Sequence, residues 1–111
     1  MPWSTLDSLS QLDEWFDRSF QQPVLFFKHS TRCSISAAAL SRMERGRDQL
    51  PEEVAVVYLD LLAHRDISNA LADKTGIPHE SPQLLLVKDG KCLWDASHFD
   101  VRPSAFVEFK I

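Results

Sequence analysis

The sequence predicts an α/β protein. The expected architecture is a three-layer α/β/α sandwich around a four-stranded mixed sheet, with an extra helix at the N-terminus. Two observations predict it. Two strongly apolar runs, 24–27 and 54–59, are separated by helix-compatible sequence, and strands joined through a helix pair in parallel. A third apolar run, Gln83–Lys88, meets Asp89-Gly90 and returns through 91–94, which adds an antiparallel hairpin to the same sheet. The 111 residues suit a single domain, 1–111, and a 44% hydrophobic composition with a net charge of −4 excludes a disordered chain.

Each element has its own signal. Ser4 and Asp7 resemble a helix-start pair, and Leu6, Leu9, Leu12, Trp15, Phe16 and Phe20 then recur at three- to four-residue spacing up to Pro23. The run Val24-Leu25-Phe26-Phe27 is too apolar for a half-exposed strand and is expected to be covered on both faces. Residues 35–43 suit a second helix, with Arg42, Arg45 and Arg47 at the end where the helix dipole favours cations. The β-branched run 54–59 predicts another buried strand. Asp66 is a candidate cap for a third helix that carries Ile67, Ala70 and Leu71 and closes at Gly76, ahead of Pro78. Pro103 suits the first turn of a last helix with Phe106 and Phe109. The order α-β-α-β-α-β-β-α is the layout of the thioredoxin fold.

Composition narrows the function. A mildly acidic chain is a poor non-specific binder of nucleic acid, which requires a basic surface. Gly46, Gly76 and Gly90 lie too far apart to form a phosphate cradle. No secretory signal is read at the N-terminus and no apolar stretch approaches the ~20 residues that span a bilayer, so a cytoplasmic location without membrane contact is expected. In a reducing cytosol Cys33 and Cys92 are expected to be free thiols.

Cys33 falls where the first apolar strand gives way to the second helix. Unpaired N–H groups at a helix start, with Arg32 beside the thiol, favour thiolate. Free cysteine is only about 3% thiolate at pH 7, and such surroundings can lower its pKa to ~3.5–7.5. Ser36, three residues on, is placed to offer its hydroxyl to the sulfur. It also stands where a C-x-x-C pair would carry its resolving cysteine, so Cys33 would need an external thiol for turnover. The bland alternative is a cysteine packed as a small core residue. Farther along, His79-Glu80-Ser81-Pro82-Gln83 enters the third strand. Pro82 is either loop punctuation or a cis-proline beside the thiol that presents the Ser81 backbone to substrate.

The segments Phe27-Lys28-His29-Ser30-Thr31-Arg32-Cys33-Ser34-Ile35-Ser36, His79-Glu80-Ser81-Pro82-Gln83 and Ala96-Ser97-His98 resemble the YtxJ family. Its members are monothiol bacilliredoxins of the bacillithiol system, with a thioredoxin-like fold, and the resemblance covers essentially the whole chain. It places the active-site cysteine on Cys33 and the cis-proline loop on Ser81-Pro82. Ser34 departs from the proline that many members carry there. The resemblance implies removal of bacillithiol from mixed disulfides on cytosolic proteins under oxidative stress. No tightly bound cofactor is expected, bacillithiol acts as co-substrate, and the protein is expected to be a monomer. Catalysis would rest on Cys33, Arg32 and Ser36, and substrate contact on Thr31, His79, Ser81 and Pro82. Because bacillithiol carries carboxylate, a cationic site is expected, with Arg32, the helix start and His79 as candidates.

Two other functions compete with this one. Cys33 could be modified without turnover, in a redox sensor or adaptor. A cluster carrier of the monothiol glutaredoxin type is the other, although the loop lacks that group's C-G-F-S glycine. Cys92 reads as packing beside Trp94 on one strand face. Ser97-His98 is expected to bond locally before the last helix. His29, His64, His79 and His98 share no metal-binding spacing, so no metal site is expected.

Overall fold

A computed structural model describes residues 3–30, 34–50 and 53–103. Every residue of β2 (Val24–His29) is buried, as the unbroken apolar run predicts, and the strand runs two residues beyond that run. β2 is the centre of the sheet. It pairs in parallel with β3 (Ala55–Asp60) and antiparallel with β4 (Gln83–Lys88), which turns back into β5 (Lys91–Ser97). Asp89 and Gly90, at φ 54° and 76°, make the tight turn.

The sheet has five strands, not four. Ser4–Thr5 forms β1, parallel to β3 with Ser4 opposite Val57, in the order β1-β3-β2-β4-β5. Two residues carry no periodicity, which is why Ser4 reads as a helix start. The first helix, α1 (Leu9–Arg18), starts later, at Ser8, whose Oγ accepts from the Gln11 N–H at 3.2 Å. The Gln11 side chain reaches back to accept from the Asp7 N–H at 2.6 Å, one residue before the N–H that a capping box uses, so Ser8 and Gln11 together still fix the start of the helix.

α2 spans Ser34–Arg45 and α3 spans Arg65–Thr75. Asp66 does not cap α3. His64 occupies that position without a side-chain bond, and Asp66 sits in the first turn, where its charge complements the dipole. Gly76 ends α3 as expected, at φ 72°. Pro103 is the last described residue, and the helix expected around Phe106 and Phe109 lies outside the described residues. Among the described residues no helix is long and apolar enough to cross a membrane.

The strands divide the core by parity. Val24 and Phe26 of β2, Val57 and Leu59 of β3, and Leu85 and Val87 of β4 meet Leu12 and Phe16 of α1 with Ile67 and Leu71 of α3. Leu25, Phe27, Leu84 and Leu86 meet Ala39 and Met43 of α2 on the other face. Burial of each such side chain contributes roughly 1.5–3 kcal/mol. β3 is less buried than its sequence predicts. Val56 and Tyr58, on the face towards the α2 core, remain half-buried, whereas Val57 and Leu59 on the opposite face are fully covered.

Cys92 and Trp94 do not share a face. Trp94 pairs with Leu86 but Cys92 pairs with Val87, which leaves Leu93 unmatched as a bulge. The extra residue reverses the alternation, so Cys92 packs against the α1/α3 core and Trp94 against the α2 core.

Candidate active site

The carboxyl ends of β2 and β3, the start of β4 and the end of β5 meet at one edge of the sheet. In open α/β sheets, the carboxyl ends of strands are where ligands are bound. β2 delivers Lys28, His29 and Ser30 to this edge, all buried. Thr31, Arg32 and Cys33 lie outside the described residues, as does the side chain of Ser36. Ser34, the residue after Cys33, is the first of α2, so the chain passes from strand to helix where the sequence predicts.

The loop from Gly76 to Gln83 supplies the rest of the expected site. The Ser81–Pro82 bond is cis, Pro82 is buried and Ser81 is half-buried. Gln83, only 1% exposed, holds this loop from within. Its Nε2 donates to the Pro78 carbonyl at 3.1 Å, and its Oε1 accepts from the Glu80 N–H at 3.4 Å. The segment at His98 braces the loop from the other side. The His98 N–H donates to the Pro82 carbonyl at 3.0 Å, and its Nε2 lies 3.1 Å from Glu80 Oε2. Arg42 of α2 donates to the carbonyls of His98 and Val101, at 3.3 and 3.2 Å. His98 therefore bonds across the sheet edge rather than locally, and connects the cis-proline loop to α2.

His79 joins a group that sequence reasoning missed. Lys28 has no solvent exposure, yet its Nζ lies 2.7 Å from His79 Nδ1. Ser68 Oγ of α3 is 3.3 Å from the same nitrogen. Burial lowers the Lys28 ammonium to about 8, against the opposing attraction of Glu80. Burial also lowers His79, and the positive charges of Lys28 and Arg65 add to the effect, while Glu80 opposes it. At neutral pH a charged Lys28 therefore donates to a neutral imidazole, which leaves the ring proton on Nε2. The available signal was a lysine continuing the strand period of Val24 and Phe26, which puts it on a covered face.

Cys92 is a different kind of thiol. It is half-buried, its Sγ donates to the Trp94 carbonyl at 3.4 Å, and burial pushes it up. Its pairing with Val87 sets it at the hairpin-turn end of β4, opposite the Pro82 end.

A family model described as monothiol bacilliredoxin BrxC matches residues 4–106. A solved structure titled for its thioredoxin fold is 30% identical, with a TM-score of 0.80 over 95% of this chain and 90% of that one. Thioredoxin from Fasciola hepatica shares the fold at 14% identity, with a TM-score of 0.74 over 95% and 93% of the two chains. Thioredoxin from Trypanosoma brucei brucei does so at 15% identity, with a TM-score of 0.72 over 96% and 85%. The match runs from the first strand, through the strand–helix join and the cis-proline loop, to beyond the last described residue. This chain belongs to the monothiol bacilliredoxin family, proteins of thioredoxin fold and thiol-based redox function.

Proposed function

We propose that this protein is a monothiol thiol–disulfide oxidoreductase that removes bacillithiol from mixed disulfides on cytosolic proteins, with Cys33 as nucleophile. The observation that carries this reading is the family match across the segment in which Cys33 stands without a second cysteine three residues later. Cys92 suits no resolving role, being half-buried, raised by burial and at the far end of β4.

The Cys33 thiolate attacks the bacillithiol sulfur of the protein–bacillithiol disulfide. The client protein leaves as a thiolate, and Cys33 carries the bacillithiol. A second bacillithiol thiolate then attacks the carried bacillithiol sulfur, which releases bacillithiol disulfide and regenerates Cys33. Each step exchanges one S–S bond for another, and the client sulfur is reduced at the expense of the incoming bacillithiol, whose sulfur is oxidised to the disulfide level that the carried bacillithiol keeps throughout. Attack requires thiolate but weakens as the pKa falls, so a Cys33 value near ambient pH suits the role. Arg32 and the start of α2 would favour the thiolate, Ser36 would donate to it, and Thr31, His79, Ser81 and Pro82 would line the approach of substrate. The protein acts as a monomer, without a bound cofactor.

Intact mass spectrometry tests this on wild type, Cys33→Ser and Cys92→Ser, each mixed with a bacillithiolated protein and then with free bacillithiol. Wild type and Cys92→Ser are expected to gain one bacillithiol mass and lose it again; Cys33→Ser gains none. An adduct that forms on wild type and is not released would indicate a sensor, and no adduct on any of them would sink the oxidoreductase reading.

A further inference from the structure

Beside His79, the first turns of α3 border a small cleft of about 70 Å³, lined by Leu61, Arg65, Ser68, Asn69 and His79. Pockets for whole small molecules usually span roughly 300–1,000 Å³, so this cleft has room only for a small group such as a carboxylate. Its Leu61 wall is tied to the end of β2, since the Leu61 N–H donates to the His29 carbonyl at 3.0 Å.

Two cations stand at the cleft. Arg65 lines it, and the fully buried Lys28 stands behind His79. Among the described residues neither Lys28 nor Arg65 has a carboxylate within 4.0 Å. Glu80, which attracts both Lys28 and His79, is itself engaged by His98. Buried charges are ordinarily paired. Here the ammonium bonds a neutral ring, and Arg65, Asn69, Ser68 and His79, side chains that can all donate, line the open space beside it. That set is the complement of a carboxylate, which only accepts hydrogen bonds.

We infer that the Arg65–Ser68–Asn69–His79 cleft, backed by Lys28, is a subsite for a carboxylate group of the small thiol that reacts at Cys33. The inference rests on the proposed oxidoreductase function for the identity of the ligand, but the anion chemistry of the cleft is testable without it. In this arrangement the carboxylate docks beside His79 while the thiol end of the same molecule extends along the sheet edge. Thiols that lack a carboxylate forgo that anchorage.

Two measurements decide the matter. In the first, malate is titrated into wild type and Arg65→Gln, followed by NMR of the His79 ring and the Asn69 side-chain amide, with inorganic phosphate as the competing anion. Saturable shifts are expected in wild type, with affinity about tenfold weaker in Arg65→Gln, as loss of a charge-assisted hydrogen bond predicts. Absence of shifts at the cleft, equal affinities in the two proteins, or tighter binding of phosphate than malate would overturn the assignment. In the second, release of the Cys33 adduct is timed with bacillithiol and with 2-mercaptoethanol, which has no carboxylate. Arg65→Gln is expected to raise the KM for bacillithiol about tenfold while leaving 2-mercaptoethanol unchanged. Equal effects on both thiols would overturn the subsite. Should wild type release nothing with either thiol, the oxidoreductase reading and this ligand identity fail together, and the malate titration still decides whether the cleft holds a carboxylate.

Discussion

Ser19 and Lys28 are both wholly removed from solvent, near opposite ends of the central strand, and they meet burial in opposite ways. At the hairpin end, Ser19 closes a neutral network. Its hydroxyl donates to the Phe16 carbonyl and accepts from the Gly90 N–H at 2.9 Å, and its carbonyl accepts from the Asp89 N–H at 2.8 Å. Every group there has a partner, and the result locks the β4–β5 turn onto the end of α1. At the other end, Lys28 brings a charge into the core and meets a neutral histidine instead of an anion. The first arrangement is complete without a ligand. The second leaves a positive potential facing a cleft, and such an arrangement costs stability unless something outside the protein supplies the counter-charge. Buried polar groups thus hold structure at one end and mark a site at the other.

The variant with the largest expected effect, Lys28→Met, can break this contrast. Replacing a buried charge by an apolar chain of similar length is expected to raise resistance to urea at pH 7 by roughly 1–3 kcal/mol. His79 keeps the Ser68 hydroxyl as a partner. The pH dependence gives a second check. Folded Lys28 loses its proton near 8, whereas the unfolded chain holds it to about 10.5. Between those values the unfolded state binds more protons, so wild type gains stability as pH rises through that window. The advantage of Lys28→Met should therefore shrink from pH 8 to pH 10.5. A variant less stable than wild type at pH 7 would show that the lysine supports the fold, and the contrast would collapse.

Ser19→Ala probes the other end. It deprives the Gly90 N–H of its acceptor and should cost about 1–2 kcal/mol in urea unfolding. No titratable group takes part in that network, so the loss should be the same at pH 6 and pH 9. A loss that varied with pH would mean that the hairpin end is coupled to charges elsewhere.

The two regions also differ in how legible they were. Gly76 and the turn at Asp89-Gly90 are where turn chemistry and apolar runs put them, because left-handed positions and short buried strands leave local signals. The whole of β4 can be read residue by residue for the same reason. Lys28 left only a faint signal, its place in the strand period of Val24 and Phe26, since a lysine ends an apolar run when only hydropathy is counted. Its burial follows from register with Leu59 and Gln83, which belong to strands remote in sequence. The bulge at Leu93 hides in the same way, because alternation assumes an unbroken ladder. His98 was legible as part of a motif, but its bonds to Pro82 and Glu80 depend on tertiary closure. Pro82 by itself left loop punctuation and a cis-proline both open, and the family resemblance pointed to the second, whereas Thr31, Arg32 and Cys33, on which the chemistry is expected to turn, lie outside the described residues.

Glu80→Gln has the smallest expected effect and sharpens the contrast most. The Glu80–His98 pair is about half exposed on both sides, and exposed pairs are worth ~0–1 kcal/mol, so urea stability should move by less than about 0.5 kcal/mol. Ligand binding should respond differently, because two consequences oppose each other. Removing the carboxylate takes a like charge away from an incoming anion, yet it also withdraws the attraction that helps Lys28 keep its proton. At pH 6.5 Lys28 is charged with or without Glu80, so the first effect stands alone and malate should bind about twofold tighter. Near pH 8 the variant's lysine loses its proton sooner, and the gain should disappear. Malate titrations at the two pH values read both effects. Weaker binding at pH 6.5 would mean that Glu80 positions the cleft through His98 rather than tuning its charge.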